Sequence, residues 1–242
     1  FLSPPHFVPC SMKYRHLFFD LDHTLWDFES NSRLTLQELY KEFALQDKGV
    51  ADFDLFHRNY LQHNDRLWSK YRNGTIRVDD LRWKRFSLTL LDFKIGDETL
   101  AKKMAQIFLD SLPTRKILFP HTIEIMDYLR GKGYSLHLIT NGFEQTQHSK
   151  LKNAGLDGYF NEVITSEGSN SLKPHKEIFD YALAKAQADA SHSIMIGDDQ
   201  EVDILGAQKA GIDQVFVNHV GAEVKFNPTY VVYALDELKE IF

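Results

Sequence analysis

The stretch His16–Asp27 reads HLFFDLDHTLWD, and its reading decides the fold. Leu17, Phe18 and Phe19 form a short apolar run of the kind that makes a buried strand. Asp20 and Asp22 follow directly, and Thr24 completes a D-x-D-x-T pattern. Carboxylates placed beside a core are costly unless their charge is used. A metal ion or a phosphate reaction would use it. An Asp-rich turn closing a strand is the ordinary alternative, and this stretch alone leaves both open.

Beyond it the pattern changes. From Phe28 to Ser111 apolar residues recur at helical spacing: Leu34, Leu36, Leu39, Tyr40 and Phe43; then Phe53, Phe56, Tyr60, Leu61 and Leu67; then Leu81, Phe86, Leu88, Leu90 and Leu91; then Leu100, Met104, Ile107, Phe108 and Leu112. Asn73-Gly74 and Ile95-Gly96-Asp97 punctuate them. A small bundle of about four helices is expected. Pro113 and Pro120 bracket its exit.

After them helices and strands alternate. Helices are predicted over Ile123–Leu129, Glu144–Ala154, His175–Gln187, Glu201–Ala210 and Leu235–Phe242. Strands are predicted over Ser135–Ile139, Glu162–Thr165, Ser193–Ile196, Gln214–Val217 and Tyr230–Val232. Such alternation implies an α/β fold with a parallel sheet covered by helices on both faces. The strand Leu17–Phe19 finds no partners in the helical stretch, so it is expected to join this sheet, which makes the bundle an insertion.

In open parallel sheets ligands bind beyond the carboxyl ends of the strands. Asp20, Asp22 and Thr24 follow the first strand here, and Thr140, Asn141 and Gly142 the second. A loop leads from the third to Lys173-Pro174. Gly197, Asp198 and Asp199 follow the fourth, with Glu201 and Asp203 beyond. Each group is an ordinary turn or helix start when taken alone. Together they gather carboxylates that repel one another unless a cation sits among them. Mg²⁺, which takes carboxylate oxygens, waters and a phosphate, suits the set.

Composition narrows the classes. Apolar content of 43% and charged content of 26% fit a globular chain, and a formal charge of -6 gives no footprint for a nucleic acid polymer. A local cluster, Arg82, Lys84 and Arg85, still suits a small anion. No run approaches the length of a membrane span. The lone cysteine, Cys10, excludes a disulfide within the sequence and suits a reducing, cytoplasmic setting. Residues 1–11 read as a Pro-rich leader outside the folded part, with Met12 as the expected natural start.

The pieces D-L-D-H-T-L, T-N-G, K-P and G-D-D, with Asp203 five residues after Asp198, resemble in identity and order the haloacid dehalogenase-like superfamily of phosphohydrolases. The resemblance implies a Rossmann-like core over 12–27 and 114–242 and a helical cap of the first type over 28–113. ITNGF (Ile139–Phe143), KPHKEIFDYAL (Lys173–Leu183), GDDQEVDILGA (Gly197–Ala207) and N-x-x-L-W-x-x-Y-x-x-G (Asn64–Gly74) are similar to bacterial pyrimidine 5′-nucleotidases.

Carried over by position, the resemblance implies Asp20 as the nucleophile that becomes an aspartyl phosphate, and Asp22 as acid and then base. It implies Thr140 and the Asn141 amide as phosphate donors, and Lys173 as the group holding nucleophile and phosphate. Asp20, Asp198 and the Asp22 carbonyl are the implied Mg²⁺ ligands, with Asp203 and Asp199 behind them. Trp26, Phe28, Asn64, Trp68 and Arg85 are candidates for contacting the leaving group; aromatics at helical spacing are also ordinary bundle core, and Arg85 has the alternative of a surface carboxylate partner. The expected activity is hydrolysis of a small phosphorylated metabolite, foremost a nucleoside 5′-monophosphate, by a monomer or homodimer. The alternatives are a sugar-phosphate phosphatase or phosphomutase, and a 2-haloacid dehalogenase.

Overall fold

The computed structural model describes residues 12–242. The expected leader and Cys10 lie outside the described residues. The described chain forms two compact units: residues 12–25, 119–141 and 158–242, and residues 26–118 and 142–157.

The strands are β1 (His16–Phe19), β2 (Ser135–Thr140), β3 (Glu162–Thr165), β4 (Ser193–Gly197), β5 (Asp213–Val217) and β6 (Tyr230–Val232). The helices are α1 (Phe28–Glu42), α2 (Phe53–Arg72), α3 (Val78–Asp92), α4 (Glu98–Ser111), α5 (Thr122–Gly131) and α6 (Glu144–Ala154). Then come α7 (Ser166–Ser169), α8 (Lys176–Ala186) and α9 (Leu205–Lys209).

In the first unit all strand pairings are parallel, in the order β3-β2-β1-β4-β5-β6. β1 sits at the centre because its residues are apolar on both sides: Leu17, Phe18 and Phe19 are all fully buried. Phe18 shares a face with Ile139, Ile164 and Met195, against which Ile178, Phe179 and Ala182 of α8 and Ala207 of α9 pack. On the other face Phe19, Leu138 and Ile196 are equally buried. Each such side chain contributes about 1.5–3 kcal/mol. The chain runs outward from β1 through β2 and β3, then returns to β4 on the opposite side of β1. The switch point of the sheet therefore lies between the carboxyl ends of β1 and β4, where ligands collect in such folds.

Some boundaries differ from the sequence expectation. β2 runs on to include Thr140 and β4 to include Gly197. The helix predicted over Glu201–Ala210 opens with a widened π turn, Gln200–Ile204, in which the Asp199 carbonyl accepts from the amides of Asp203 and Ile204. Gln187, at a left-handed φ of 52°, ends α8 one residue early. The predicted C-terminal helix is a 3-10 run, Leu235–Glu240. The short α7 is not predicted, because SEGS carries no apolar period; the Thr165 hydroxyl caps it by accepting from the Gly168 amide at 3.0 Å.

The second unit is helical. Asp27, Asp52 and Asp97 cap α1, α2 and α4 through their carboxylates. Tyr60, Phe86 and Phe108 meet ring to ring at 5.0–5.5 Å in its core. Residues 142–157, which carry α6, group with these helices: Phe143 stacks on Trp68 at 5.6 Å and the Asn153 side-chain amide donates to the Pro113 carbonyl at 2.9 Å. Among the described residues no helix is long and apolar enough to cross a membrane.

One buried titratable group lies in the strands themselves. His137 of β2 stacks on Phe18 at 4.8 Å, its Nε2 is 3.2 Å from His16 Nδ1, and its buried Nδ1 has no hydrogen-bond partner among the described residues. Burial, then the neighbouring His16, pushes its pKa down to about 4 from 6.5. The fold holds it neutral, so its contribution is complete above pH 6.5 and is lost as pH falls toward 4. Urea unfolding should show stability falling by about 1.4 kcal/mol per pH unit across that window from this residue. His137→Leu should flatten the slope by that amount; an unchanged slope would remove His137 as its source.

Candidate active site

The site begins with a backbone contact. The Asp20 amide donates to the Ile196 carbonyl at 2.9 Å, extending the β1–β4 ladder one residue past β1. That bond brings Asp20 beside the Gly197-Asp198 turn. The Thr24 hydroxyl lies 3.0 Å from Asp198 Oδ1 and 3.4 Å from Asp20 Oδ2. With one proton to donate, it favours Asp198.

Lys173 arrives from the loop before α8. Its ammonium donates to Asp20 Oδ1 at 2.5 Å and to Asp203 Oδ1 at 2.7 Å, and its side chain is 1% exposed. The loop is held by Asn141: its side-chain amide donates to the Lys173 carbonyl at 2.9 Å and its Oδ1 accepts from the Lys173 amide at 2.7 Å. Asp203 Oδ2 in turn accepts from the Asp199 amide at 3.1 Å. The Asp199 carboxylate is spent as a cap, accepting from the amides of Glu201 and Val202 at 2.9 and 3.0 Å.

Asp203 fits only because residue 197 is glycine. A Cβ at Gly197 would stand 2.3 Å from Asp203 Oδ2 and 2.5 Å from its Cγ. Both residues are buried, so neither has room to yield.

Carboxylate oxygens of Asp20, Asp198 and Asp203 lie within 4.8 Å of one another. Burial raises the pKa of each, to about 7 for Asp203. Lys173 opposes this at Asp20 and Asp203, and the charge of half-buried Asp22 adds to the rise at Asp20. At Asp198, Asp20 and Asp203 push the same way as burial while the Thr24 hydroxyl opposes. Burial would lower the Lys173 pKa, but the two carboxylates outweigh it and raise it. One ammonium thus faces three carboxylates, a set of hard oxygen donors with uncompensated negative charge. A divalent cation fits that donor set. Asp203 has both oxygens engaged, so Asp20 and Asp198 are the better donors.

Of the residues singled out in the sequence, Asp20, Asp198, Asp203 and Lys173 meet directly, Asn141 grips the Lys173 backbone, and Asp22 is near enough to perturb Asp20. Thr140 is buried at the end of β2. The other candidates lie in the helical unit. Trp26 and Phe28 are neighbours with ring centroids 6.3 Å apart, and Trp68 packs on Phe143. Arg85 is buried and donates to Asn64 Oδ1 at 3.0 Å, not to a surface carboxylate. Thr24 and Gly197 were not singled out as site residues. Thr24 stood in the D-x-D-x-T pattern and Gly197 in the G-D-D motif, but the role of Gly197, the room left by the side chain it lacks, cannot be read from that motif. Lys150, buried with its ammonium 4.2 Å from the Trp26 ring centroid, was also passed over, since α6 reads as a polar helix.

Gly197→Ala should displace Asp203 from Lys173 and lower kcat on the order of 10–100-fold, the usual range for a lost supporting contact. Steady-state kinetics with far-UV circular dichroism checks this; full activity in a folded variant would show that the Asp203–Lys173 contact is dispensable.

Comparison with known proteins agrees with this geometry. A family model for haloacid dehalogenase-like hydrolases matches residues 14–211. The chain is 32% identical to the pyrimidine 5′-nucleotidase YjjG of Escherichia coli K12, over 95% of this chain and 98% of that protein. It is 32% identical to the pyrimidine 5′-nucleotidase PynA of Streptococcus pneumoniae, over 94% of each chain. The crystal structure of the HAD-hydrolase YfnB from Bacillus subtilis, bound to magnesium, superposes with a TM-score of 0.84 at 30% identity, covering 95% of this chain and 98% of that one. With its parallel sheet, its acidic strand ends and matches that run nearly its whole length, the chain belongs to the haloacid dehalogenase-like hydrolase family.

Proposed function

We propose that this phosphomonoester hydrolase acts on nucleoside 5′-monophosphates, pyrimidine nucleotides foremost, through a covalent aspartyl phosphate on Asp20. The observation that carries the reading is the buried Asp20 carboxylate fastened by Lys173, with a second acid two residues on. An ammonium at 2.5 Å favours the ionised carboxylate that an attack on phosphorus needs. The likeness to two nucleotidases along nearly the whole chain supports the substrate class.

In the first step an Asp20 oxygen bonds to phosphorus while the bond from phosphorus to the ester oxygen breaks. Asp22 gives its proton to the departing alkoxide. Asp22, now ionised, takes a proton from water, whose oxygen attacks phosphorus. The bond to the Asp20 carboxyl breaks and inorganic phosphate leaves. Lys173, the Thr140 hydroxyl and the Asn141 backbone amide offset the phosphoryl charge, and Asp203 keeps Lys173 aimed. Mg²⁺ held by Asp20, Asp198 and the Asp22 backbone carbonyl would supply the remaining positive charge. The inserted helices, read as a cap over 28–113, would supply the choice among phosphomonoesters, with Phe28, Asn64, Trp68 and Arg85 as candidates and Trp26 beside the catalytic loop. A monomer or homodimer in the cytoplasm is the setting proposed.

The assay is a panel of nucleotides and sugar phosphates with Mg²⁺, scored for free phosphate. Pyrimidine 5′-monophosphates should give the highest kcat/KM, and excess EDTA should stop turnover. Phosphate migrating within a sugar would identify a mutase, and halide release from a 2-haloacid a dehalogenase. Asp20→Asn should abolish phosphate release while the melting temperature shows an intact fold; substantial activity in that variant would remove Asp20 from its role.

A further inference from the structure

The helical unit buries a cation that no carboxylate answers. Arg85 of α3 is 3% exposed. A guanidinium stays charged in proteins and offers five N–H donors. Among the described residues its hydrogen-bond acceptors are Asn64 Oδ1 at 3.0 Å and the Arg82 carbonyl at 3.3 Å, and no carboxylate forms an ion pair with it. The rings of Phe108, Tyr60 and Phe86, at 5.2–5.9 Å, compensate only part of the charge and accept none of its remaining N–H groups.

A second orphan lies on the same face. Tyr60 precedes Asn64 by one turn of α2, and its hydroxyl is buried without a hydrogen-bond partner among the described residues. Burial pushes its pKa up to about 12, so it is a donor in search of an acceptor. Asn64 turns its own amide to Asp65 at 3.3 Å and gives its oxygen to Arg85. Retaining a partly compensated guanidinium and an unpaired phenol in a bundle core costs stability. A ligand that brings acceptors answers both.

We propose that Arg85, Asn64 and Tyr60 form a built site of hydrogen-bond donors that receives a negatively charged or strongly polarised oxygen. Two sources share that chemistry: the non-reacting part of the substrate, and a free small anion. The first source rests on the phosphomonoesterase reading above; the second does not.

The test uses the full chain with Arg85→Met, Arg85→Lys and, as the variant least able to disturb folding, Tyr60→Phe. Two quantities are read: the ratio of kcat/KM for uridine 5′-monophosphate to that for phenyl phosphate, and the saturable rise in melting temperature with sodium sulfate. For the substrate source, Arg85→Met should lower the ratio by at least about tenfold, Arg85→Lys should restore part of it, and Tyr60→Phe should lower it in the same direction. The melting temperature of Arg85→Met without anion should not fall, because the lost charge was only partly compensated. For the free-anion source, the ratio holds while the sulfate response disappears in Arg85→Met and weakens in Tyr60→Phe. The proposal is overturned if ratio and sulfate response both survive in all three variants. It is equally overturned if Arg85→Met melts several degrees lower with both substrates impaired alike, the mark of a structural arginine. Absence of phosphate release from either substrate would instead end the phosphomonoesterase reading, leaving the sulfate response to decide the site.

Discussion

Everything at the sheet edge depends on one buried ammonium. Lys173 lies between Asp20 and Asp203, out of reach of water, and without it two carboxylates would face each other in a low-dielectric setting. The arrangement is assembled from distant parts of the chain. Asp20 ends the central strand, Lys173 comes from the loop before α8, and Asp203 sits on the widened turn that opens α9. A glycine at 197 provides the space, and the Asn141 side chain clamps the loop. Asp198 is left with the Thr24 hydroxyl as its donor, so the net charge at the edge stays negative. A site with that imbalance is suited to a divalent cation, whose charge would offset the carboxylates and the oxygens of an incoming phosphoryl group alike.

Much of this was legible in the residues and some was not. An apolar run ending in Asp20, in a chain whose second half alternates strand and helix, was enough to place β1 in the sheet. Strand order was harder to read, since nothing local in HLFF says that β2 lies on one side and β4 on the other; the pairing of the folded strands decides it. The polar strand ends were visible as motifs, yet their partners were not. Asn141 read as a phosphate donor through its amide, and nothing in the motif showed that its side chain also clamps the Lys173 backbone. Asp199 read as a possible second rank behind the metal, while its carboxylate caps the next turn. In both cases the residue type admits several hydrogen-bond partners and only the fold selects one.

The helical unit was legible as helices and opaque as a site. Periodicity put Tyr60, Phe86 and Phe108 on the apolar faces of three successive helices, and the fold brings the three rings together. The same periodicity gave no warning that Arg85 is drawn into that core, because arginine at a helical surface position looks identical in sequence to arginine folded inward. Nor did it show that α6, polar in composition, buries Lys150 and Gln147 against its neighbours. Charges hidden in a helical bundle are a stability cost, and their retention points to chemistry more clearly than the aromatic pattern does.

The central claim is that Asp20, held by Lys173, bonds covalently to phosphorus. The most direct measurement is borohydride trapping during turnover of uridine 5′-monophosphate, followed by peptide mass spectrometry. An acyl phosphate on Asp20 is reduced to the alcohol, so the peptide bearing residue 20 should contain homoserine at that position, and only when substrate is present. Phosphate release at full rate with residue 20 unmodified, or with the trapped group on another side chain, would contradict the account.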